Sequence, residues 1–199
     1  MTYDVGVDDI TAFVLAGGRS SRMGSDKALL AAGEITFLER ALRITSPVAA
    51  RTMIVGPKVH YARFGEVLED IYAGCGPLGG IHAALSATRT ELNLVLSVDM
   101  PKMTANFLDW MVQQAAAAPE LATVPEIDGR PQPLCAVYRR RIGEVAAQLL
   151  ARGEYKVGRM FSNVPTRMLK EQQIVAAGFS PELFHNVNTP EEYEQCRQA

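Results

Sequence analysis

Residues 15–30 read LAGGRSSRMGSDKALL. Phe13 and Val14 precede them, so a short apolar run of the kind that forms a buried strand leads into this segment. The strand predicted at 11–15 ends before the glycine pair Gly17 and Gly18, and an apolar segment resumes after Lys27. A strand, a glycine-containing loop and a resumed apolar segment are typical of the first turn of an α/β sheet, where ligands often bind.

The composition of this loop favours a phosphate ligand. Glycines let the backbone approach a ligand closely, and consecutive amide groups can form an anion-binding nest. Arg19, Arg22 and Lys27 add cations, of which the arginines suit bidentate contact with phosphate oxygens. The loop is neither a P-loop nor a dinucleotide fingerprint, because it lacks GK[ST] and the GxGxxG spacing. The alternative is an ordinary turn with surface charges.

Apolar runs and segments of helical period alternate along the rest of the chain. This alternation predicts a three-layer α/β fold with a mainly parallel sheet. No stretch is rich enough in Gly, Ser or Pro to form a linker, so we expect a flexible leader at 1–9 and a single domain at 10–199. Strands are predicted at 11–15, 52–55, 67–68, 93–98, 121–124, 134–138 and 166–169. Helices are predicted at 36–45, 79–87, 105–118, 142–151, 157–161 and 190–197.

The overall composition excludes several classes of protein. A net charge of −2 gives no electrostatic case for binding nucleic acid or an anionic membrane surface. No apolar run reaches the roughly 18 residues that span a bilayer, and the acidic start MTYDVGVDD does not resemble a secretory signal. The three cysteines are far apart and show no CxxC spacing, which suits a reducing compartment. We therefore expect a cytoplasmic protein.

Carboxylates follow two of the predicted strands. Asp99 ends the run NLVLSVD, where a carboxylate can hold Mg²⁺, an ion that prefers oxygen ligands. The alternative for Asp99 is a helix cap or a turn. Asp70 follows the short strand at 67–68, where it can accept hydrogen bonds from N1–H and the N2 amino group of guanine, or lie in a solvated turn.

Two amide side chains alternate in the sequence HNVNTP near the end of the chain. In an extended segment Asn186 and Asn188 point to the same side, where their donors and acceptors suit a polar heterocycle. A capping turn before the last helix is the alternative, and Thr189 is the predicted N-cap of that helix.

Five segments together resemble the molybdenum cofactor guanylyltransferase family. They are LAGGRSSRMGSDKALL, EDIYAGCGPLGGIHAAL, LSVDMP, GRPQPLCAVY and NVNTPEEYE, in this order over residues 15–194. The resemblance implies a Rossmann-like nucleotidyltransferase fold. It also implies transfer of GMP from GTP to molybdenum-molybdopterin, which gives the guanine dinucleotide form of the cofactor and pyrophosphate. Transient contacts with cofactor-biosynthesis proteins or molybdoenzymes would accompany that activity.

The resemblance also assigns roles by position. Catalysis falls to Arg22, Lys27 and Asp99, and Asp99 also holds Mg²⁺. The pterin contacts fall to Asn186, Asn188 and Lys156. The GTP contacts fall to Leu15, Ala16, Gly17, Gly18, Lys27, Asp70 and Asp99.

One position departs from the family pattern. The family commonly has an asparagine after the second strand, where this chain has Gly56, which offers only backbone groups. A nucleotidyltransferase with another base or acceptor is therefore a second interpretation. A non-catalytic protein that binds GTP or the pterin is a third, and it predicts binding without release of pyrophosphate.

Overall fold

The computed structural model describes residues 10–17, 26–72, 74–162 and 164–198. The expected leader at 1–9 lies outside these ranges, as do Gly18, Arg19 and Arg22 of the first loop. The strands are β1 (Ile10–Leu15), β2 (Ala31–Ala32), β3 (Ile35–Thr36), β4 (Arg51–Val55), β5 (Val67–Leu68), β6 (Leu92–Ser97), β7 (Ala122–Ile127), β8 (Arg130–Pro131), β9 (Cys135–Arg139) and β10 (Thr166–Lys170). The helices are α1 (Phe37–Thr45), α2 (Lys58–Tyr61), α3 (Gly76–Ala87), α4 (Ala105–Ala116), α5 (Ile142–Ala151), α6 (Gly158–Phe161), α7 (Glu171–Ala176) and α8 (Pro190–Gln198).

Within the described residues, eight strands form one mixed sheet. Its order is β10-β7-β9-β6-β1-β4-β5, with β8 paired to β7. β1 runs parallel to β4 and β6, β4 to β5, and β7 to β10. β9 is antiparallel to both of its neighbours, β6 and β7, which therefore run in the same direction as each other. The predicted α/β fold with a mainly parallel sheet is confirmed, and β9 and β8 are its antiparallel members.

Helices cover both faces of the sheet, as a three-layer fold requires. Alternate residues of β1 lie on opposite faces of the sheet. Ala12 and Val14 belong to one apolar cluster, and Phe13 and Leu15 belong to the other. The first cluster includes buried residues of α1 and α4, and the second includes buried residues of α3, α5 and α6. β1 is therefore buried on both sides, which explains its unbroken apolar sequence.

Local signals set several helix boundaries. Thr36 caps α1 through a capping box with Glu39. Thr189 and Glu192 form the same reciprocal pair at the start of α8, which confirms the predicted N-cap. No helix in the described ranges is long and apolar enough to cross a membrane.

The topology sends the chain outward from β1 to β4 and β5, then back to β6 on the other side of β1. Such a reversal opens a crevice at the carboxyl ends of the strands, where open α/β sheets bind their ligands. These ends lie level, because Leu15 pairs in register with both Val55 and Ser97, and Val55 pairs with Leu68.

Candidate active site

Three residues from distant parts of the chain meet at this crevice. The ammonium group of Lys27 donates a hydrogen bond of 3.0 Å to Oδ1 of Asn188. The same nitrogen lies 3.8 Å from Oδ2 of Asp99. Since the Lys27 and Asp99 side chains are only 17% and 19% exposed, both charges are partly shielded from water. The structure thus brings together one residue from each of three sequence motifs.

Separate backbone elements hold these three side chains. Lys27 opens a 3-10 turn, Lys27–Leu29, whose N-cap is Asp26. Asp99 follows β6, and its carbonyl oxygen accepts a hydrogen bond of 2.9 Å from the amide of Val187. Val187 is fully buried between the two asparagines, as expected if Asn186 and Asn188 turn away from the core together.

One oxygen of Asp99 is suited to a metal ion. Oδ1 of Asp99 is buried and has no hydrogen-bond partner, and such an atom ordinarily requires a bound proton donor or cation. The described residues contain no cluster of three or more His, Cys, Asp or Glu side chains that would form a protein cage for a metal. A single carboxylate fits Mg²⁺, which keeps several waters and shares its coordination with substrate phosphates.

A second group of residues lines a narrow cavity beside the end of β1. Asp70 contributes its carboxylate there, and partial burial raises the pKa of this group although the residue as a whole is exposed. The ideal Cβ position at Gly80 lies 3.5 Å from Oδ1 of Asp70, so α3 passes close to the carboxylate. The cavity is lined by Leu15, Gly17, Val55, Asp70, Gly76, Pro77, Gly80, Ser97 and Leu134.

The described part of the first loop is bound tightly to the sheet. The amides of Ala16 and Gly17 donate to the carbonyl of Val55 over 3.0 and 3.1 Å, and the carbonyl of Leu15 accepts from the amide of Val98. These two amides are therefore paired within the fold. Leu15 and Gly17 instead form part of the cavity wall.

A wider cleft of about 490 Å³ is lined in part by Asn186. Oδ1 of Asn186 is buried and has no hydrogen-bond partner. Arg130 and Gln132 enter this cleft from the segment GRPQPLCAVY, whose resemblance to the family carried no assigned role for either residue. The lining residues are Lys102, Ile127, Asp128, Arg130, Gln132, Pro181, Glu182, Phe184, His185 and Asn186.

Lys156 stands apart from the residues described so far. It is exposed in the turn between α5 and α6 and lines neither the narrow cavity nor the wide cleft. Its role in pterin binding therefore stays a prediction. Arg22 and Gly18 also stay predictions, because they lie outside the described ranges.

Sequence reasoning missed several cavity residues for a recognisable reason. Ser97, Pro77 and Leu134 carry no charge, and their positions in the cavity wall follow from strand register and the path of α3. Arg130 and Gln132 did have a signal, because they are polar side chains within a segment that carries the family resemblance. A cation on β8 and an amide directly after it indicate a polar ligand at that end of the sheet.

The fold and the site define an α/β protein of the nucleotidyltransferase class, with a lysine, a carboxylate and amide side chains at the strand ends. Residues 12–170 match the family model of the MobA-like NTP transferase domain. The chain belongs to this family, since the match covers most of its length.

Individual relatives agree with this assignment. A Clostridium perfringens protein named "probable molybdenum cofactor guanylyltransferase" is 31% identical over 188 residues, which cover 92% of this chain and 94% of the relative. The crystal structure of molybdopterin-guanine dinucleotide biosynthesis protein A from Archaeoglobus fulgidus superposes with a TM-score of 0.84 at 23% identity, covering 94% of this chain and 97% of that one. Rv0371c from Mycobacterium tuberculosis, solved in complex with manganese, has a TM-score of 0.70 at 19% identity and covers 96% and 99% of the two chains. These two structures support the fold.

Proposed function

We propose that this protein transfers GMP from GTP to molybdenum-molybdopterin, forming the guanine dinucleotide form of the molybdenum cofactor and releasing pyrophosphate. The convergence of Lys27, Asp99 and Asn188 at the carboxyl ends of β1 and β6 carries the proposal. A cation, a metal-ligating carboxylate and an amide at one point suit a reaction between two phosphates. The relatives named above support guanylyl transfer as the activity.

The narrow cavity is the proposed guanine site. Asp70 would accept hydrogen bonds from N1–H and the N2 amino group of the base, two donors that adenine does not present on that edge. Leu15, Gly17 and Gly80 would form its walls, where the lack of side chains on the two glycines leaves space for a flat ring. Leu15, Ala16, Gly17 and Gly18 keep their proposed place beside the nucleotide.

The wide cleft is the proposed acceptor site. Asn186 offers an unpaired oxygen to a pterin N–H group, and Arg130 supplies a cation for the pterin phosphate. Lys102 lines the same cleft but donates a hydrogen bond of 3.1 Å to Glu182. Asn188 lies at the junction with the nucleotide site, because it binds Lys27. Lys156 is retained as a further pterin contact on the strength of the resemblance.

The reaction needs no covalent enzyme intermediate. An oxygen of the terminal pterin phosphate attacks the α-phosphorus of GTP, a new P–O bond forms, and the bond to the β-phosphate breaks to release pyrophosphate. The attacking phosphate is ionised at neutral pH, so the protein contributes positioning and charge stabilisation. Lys27 would neutralise charge on the transferred and leaving groups, and Arg22 would assist it.

Asp99 would hold Mg²⁺ through its unpaired Oδ1. When bound, the ion supplies Lewis-acid stabilisation of the phosphate oxygens. Lys27, 3.8 Å from Oδ2, would hold that second oxygen in place. We further propose a cytoplasmic protein with no nucleic-acid or membrane partner and with transient contacts to proteins that supply the pterin or receive the product.

Thermal stabilisation by GTP, CTP, ATP and UTP, each with Mg²⁺, tests the base choice. A ligand at 100 times its dissociation constant stabilises a protein by about 2.7 kcal/mol, which is a readable shift in melting temperature. We expect the largest shift with GTP, followed by pyrophosphate release when the pterin is added. A larger shift with CTP would assign the protein to another substrate, and GTP binding without pyrophosphate release would favour a carrier.

A further inference from the structure

Tyr61, the last residue of α2, occupies the space beside Gly56. Its side chain is 2% exposed. A Cβ atom built on Gly56 would lie 2.7 Å from Cε2 of Tyr61, closer than real Cβ contacts, and 3.1 Å from both Cδ2 of Tyr61 and the amide nitrogen of Gly17. The absence of a side chain at position 56 is therefore what allows the Tyr61 ring to pack there.

The hydroxyl group of Tyr61 contacts residues that precede and follow the segment 18–25 of the first loop. It lies 2.8 and 2.9 Å from the two carboxylate oxygens of Asp26, and 3.1 Å from the carbonyl oxygen of Ala16. Burial and the hydrogen bond to Asp26 raise the pKa of Tyr61, so the hydroxyl keeps its proton at neutral pH and acts as the donor.

Asp26 in turn sets the start of the turn that carries Lys27. Its Oδ1 accepts a hydrogen bond of 3.1 Å from the amide of Ala28 and so caps the 3-10 turn. Its Oδ2 lies 3.2 Å from Nδ1 of His60. The Asp26 carboxylate thus contacts the Ala28 amide, His60 and Tyr61. These contacts fix the backbone direction at the next residue, Lys27.

We propose that Tyr61 is a positioning residue for Lys27. Its hydroxyl orients the Asp26 carboxylate, and Asp26 fixes the turn that directs the Lys27 ammonium group toward the site at Asp99 and Asn188. Gly56 is part of the same arrangement, because it gives the Tyr61 ring its place. The inference rests on the proposed function in one respect, namely that Lys27 contacts the phosphates of a nucleoside triphosphate.

A purely structural role for Tyr61 makes a different prediction. Loss of packing or of a buried hydrogen bond lowers the stability of the whole fold and weakens all ligands alike. Loss of positioning at Lys27 weakens binding of the phosphates and spares binding of the base and ribose. The ratio of triphosphate affinity to nucleoside affinity separates the two roles.

Tyr61→Phe is the direct variant, because it keeps the ring and removes the hydroxyl. Calorimetry would measure the dissociation constants of the triphosphate that the wild type binds best and of its nucleoside, both with Mg²⁺. A lost hydrogen bond to a charged group predicts at least about fivefold weaker triphosphate binding, with nucleoside binding changed less than about twofold. Tyr138→Phe is the control, since it removes a buried hydroxyl that donates to the carbonyl of Pro133 at 2.8 Å and should leave the affinity ratio unchanged.

A second background tests the route through Lys27. In Lys27→Ala the phosphate contact is already absent, so adding Tyr61→Phe should not change triphosphate binding further. Gly56→Ala should also weaken triphosphate binding, because its Cβ displaces the Tyr61 ring. Gly158→Ala is its control, since a Cβ at that position meets no atom within 4 Å.

The outcomes distinguish this inference from the proposed function. Equal losses for triphosphate and nucleoside, or an additive effect in the Lys27→Ala background, would overturn the positioning role while leaving guanylyl transfer intact. A wild type that prefers another triphosphate would overturn the base choice, and the same variants would then test Tyr61 with that nucleotide. A wild type that binds no nucleoside triphosphate would overturn both.

Discussion

Lys27 donates its 3.0 Å hydrogen bond to Asn188 across 161 residues of sequence. The bond joins the end of the first loop to the segment before α8. In that segment the backbone amides of Asn188 and Thr189 donate to the carboxylate of Glu192 in α8, and the bond from Asn188 is the main reason that the pKa of Glu192 is lowered. The proposed nucleotide and acceptor halves of the site therefore meet at Lys27.

Lys27→Ala should abolish most of the activity at little cost to the fold. Removal of one preorganised charge contact from a transition state costs roughly 2.7–4 kcal/mol, or about 10²–10³ in kcat. The unfolding free energy should change by only about 1 kcal/mol, because the variant removes one side-chain hydrogen bond and a loose charge pair at 3.8 Å. Pyrophosphate release and thermal denaturation measure the two effects.

Lys170→Ala is the matched control for this variant. It removes a lysine that lies 2.6 Å from Glu126, on the edge strand β10 and away from the crevice. Its turnover should equal that of the wild type. Unchanged turnover in Lys27→Ala would remove Lys27 from the catalytic set.

Asp99→Asn should weaken the response to Mg²⁺. The substitution keeps the shape of the side chain but replaces a carboxylate oxygen by a neutral amide, which is a poorer ligand for a hard cation. In a Mg²⁺ titration of pyrophosphate release, the half-saturating concentration should rise and the maximal rate should fall. Asp109→Asn, on the exposed surface of α4, should behave as the wild type. A titration curve that does not move in Asp99→Asn would place the metal elsewhere.

The raised pKa of Asp70 predicts a pH dependence for base recognition. Only the ionised carboxylate accepts both donors of guanine, so GTP affinity should fall as the pH drops through the raised pKa. The affinity of Asp70→Asn for GTP should be lower and nearly independent of pH over the same range. Fluorescence titrations with GTP and ATP at several pH values would measure this, with Glu66→Gln as a surface control.

Asp70→Asn should weaken GTP binding, but it should not lower the stability of the fold. Because the folded-state pKa of Asp70 is raised, ionisation costs stability, and this cost grows as the pH rises through that pKa. Asp70→Asn should therefore melt no lower than the wild type at neutral pH. A lower melting temperature together with unchanged GTP binding would make Asp70 a structural residue.

The sequence predicted most of the sheet because its strands are buried on both faces. β1 and β6 read as mainly apolar runs, and their bounds lie within one residue of the prediction. α5 was predicted with both ends correct, and α4 ends two residues before the predicted limit at 118. The antiparallel direction of β9 was not predicted, since a strand's direction depends on which neighbour it pairs with.

Short elements fixed by distant contacts were the ones that sequence reasoning missed. α2 has four residues, too few to show a helical period, and Gly56-Pro57 before it predicts only a turn. The position of Tyr61 depends on its contacts with Gly56, Asp26 and Ala16. None of these residues is related to Tyr61 by helical spacing. The sequence showed that Gly56 departs from the family pattern, but only the structure showed that the Tyr61 ring packs against it.

The wide cleft allows the two groups of proposed pterin contacts to be compared. Asn186→Ala and Arg130→Ala should each raise the KM for the pterin several-fold and leave GTP binding unchanged, because both residues line the cleft and neither lines the narrow cavity. For Asn186→Ala, a lost hydrogen bond to a neutral partner corresponds to about 1 kcal/mol, or roughly fivefold in affinity. Arg130→Ala should have the larger effect, because a hydrogen bond to a charged group is worth about 1.5–3 kcal/mol. Lys156→Ala, in the exposed turn after α5, should raise the same KM, as the family resemblance implies. Pyrophosphate release at saturating GTP with varied pterin measures all three. A larger effect of Lys156→Ala than of Arg130→Ala would shift the acceptor site toward α5 and α6 and away from the cleft.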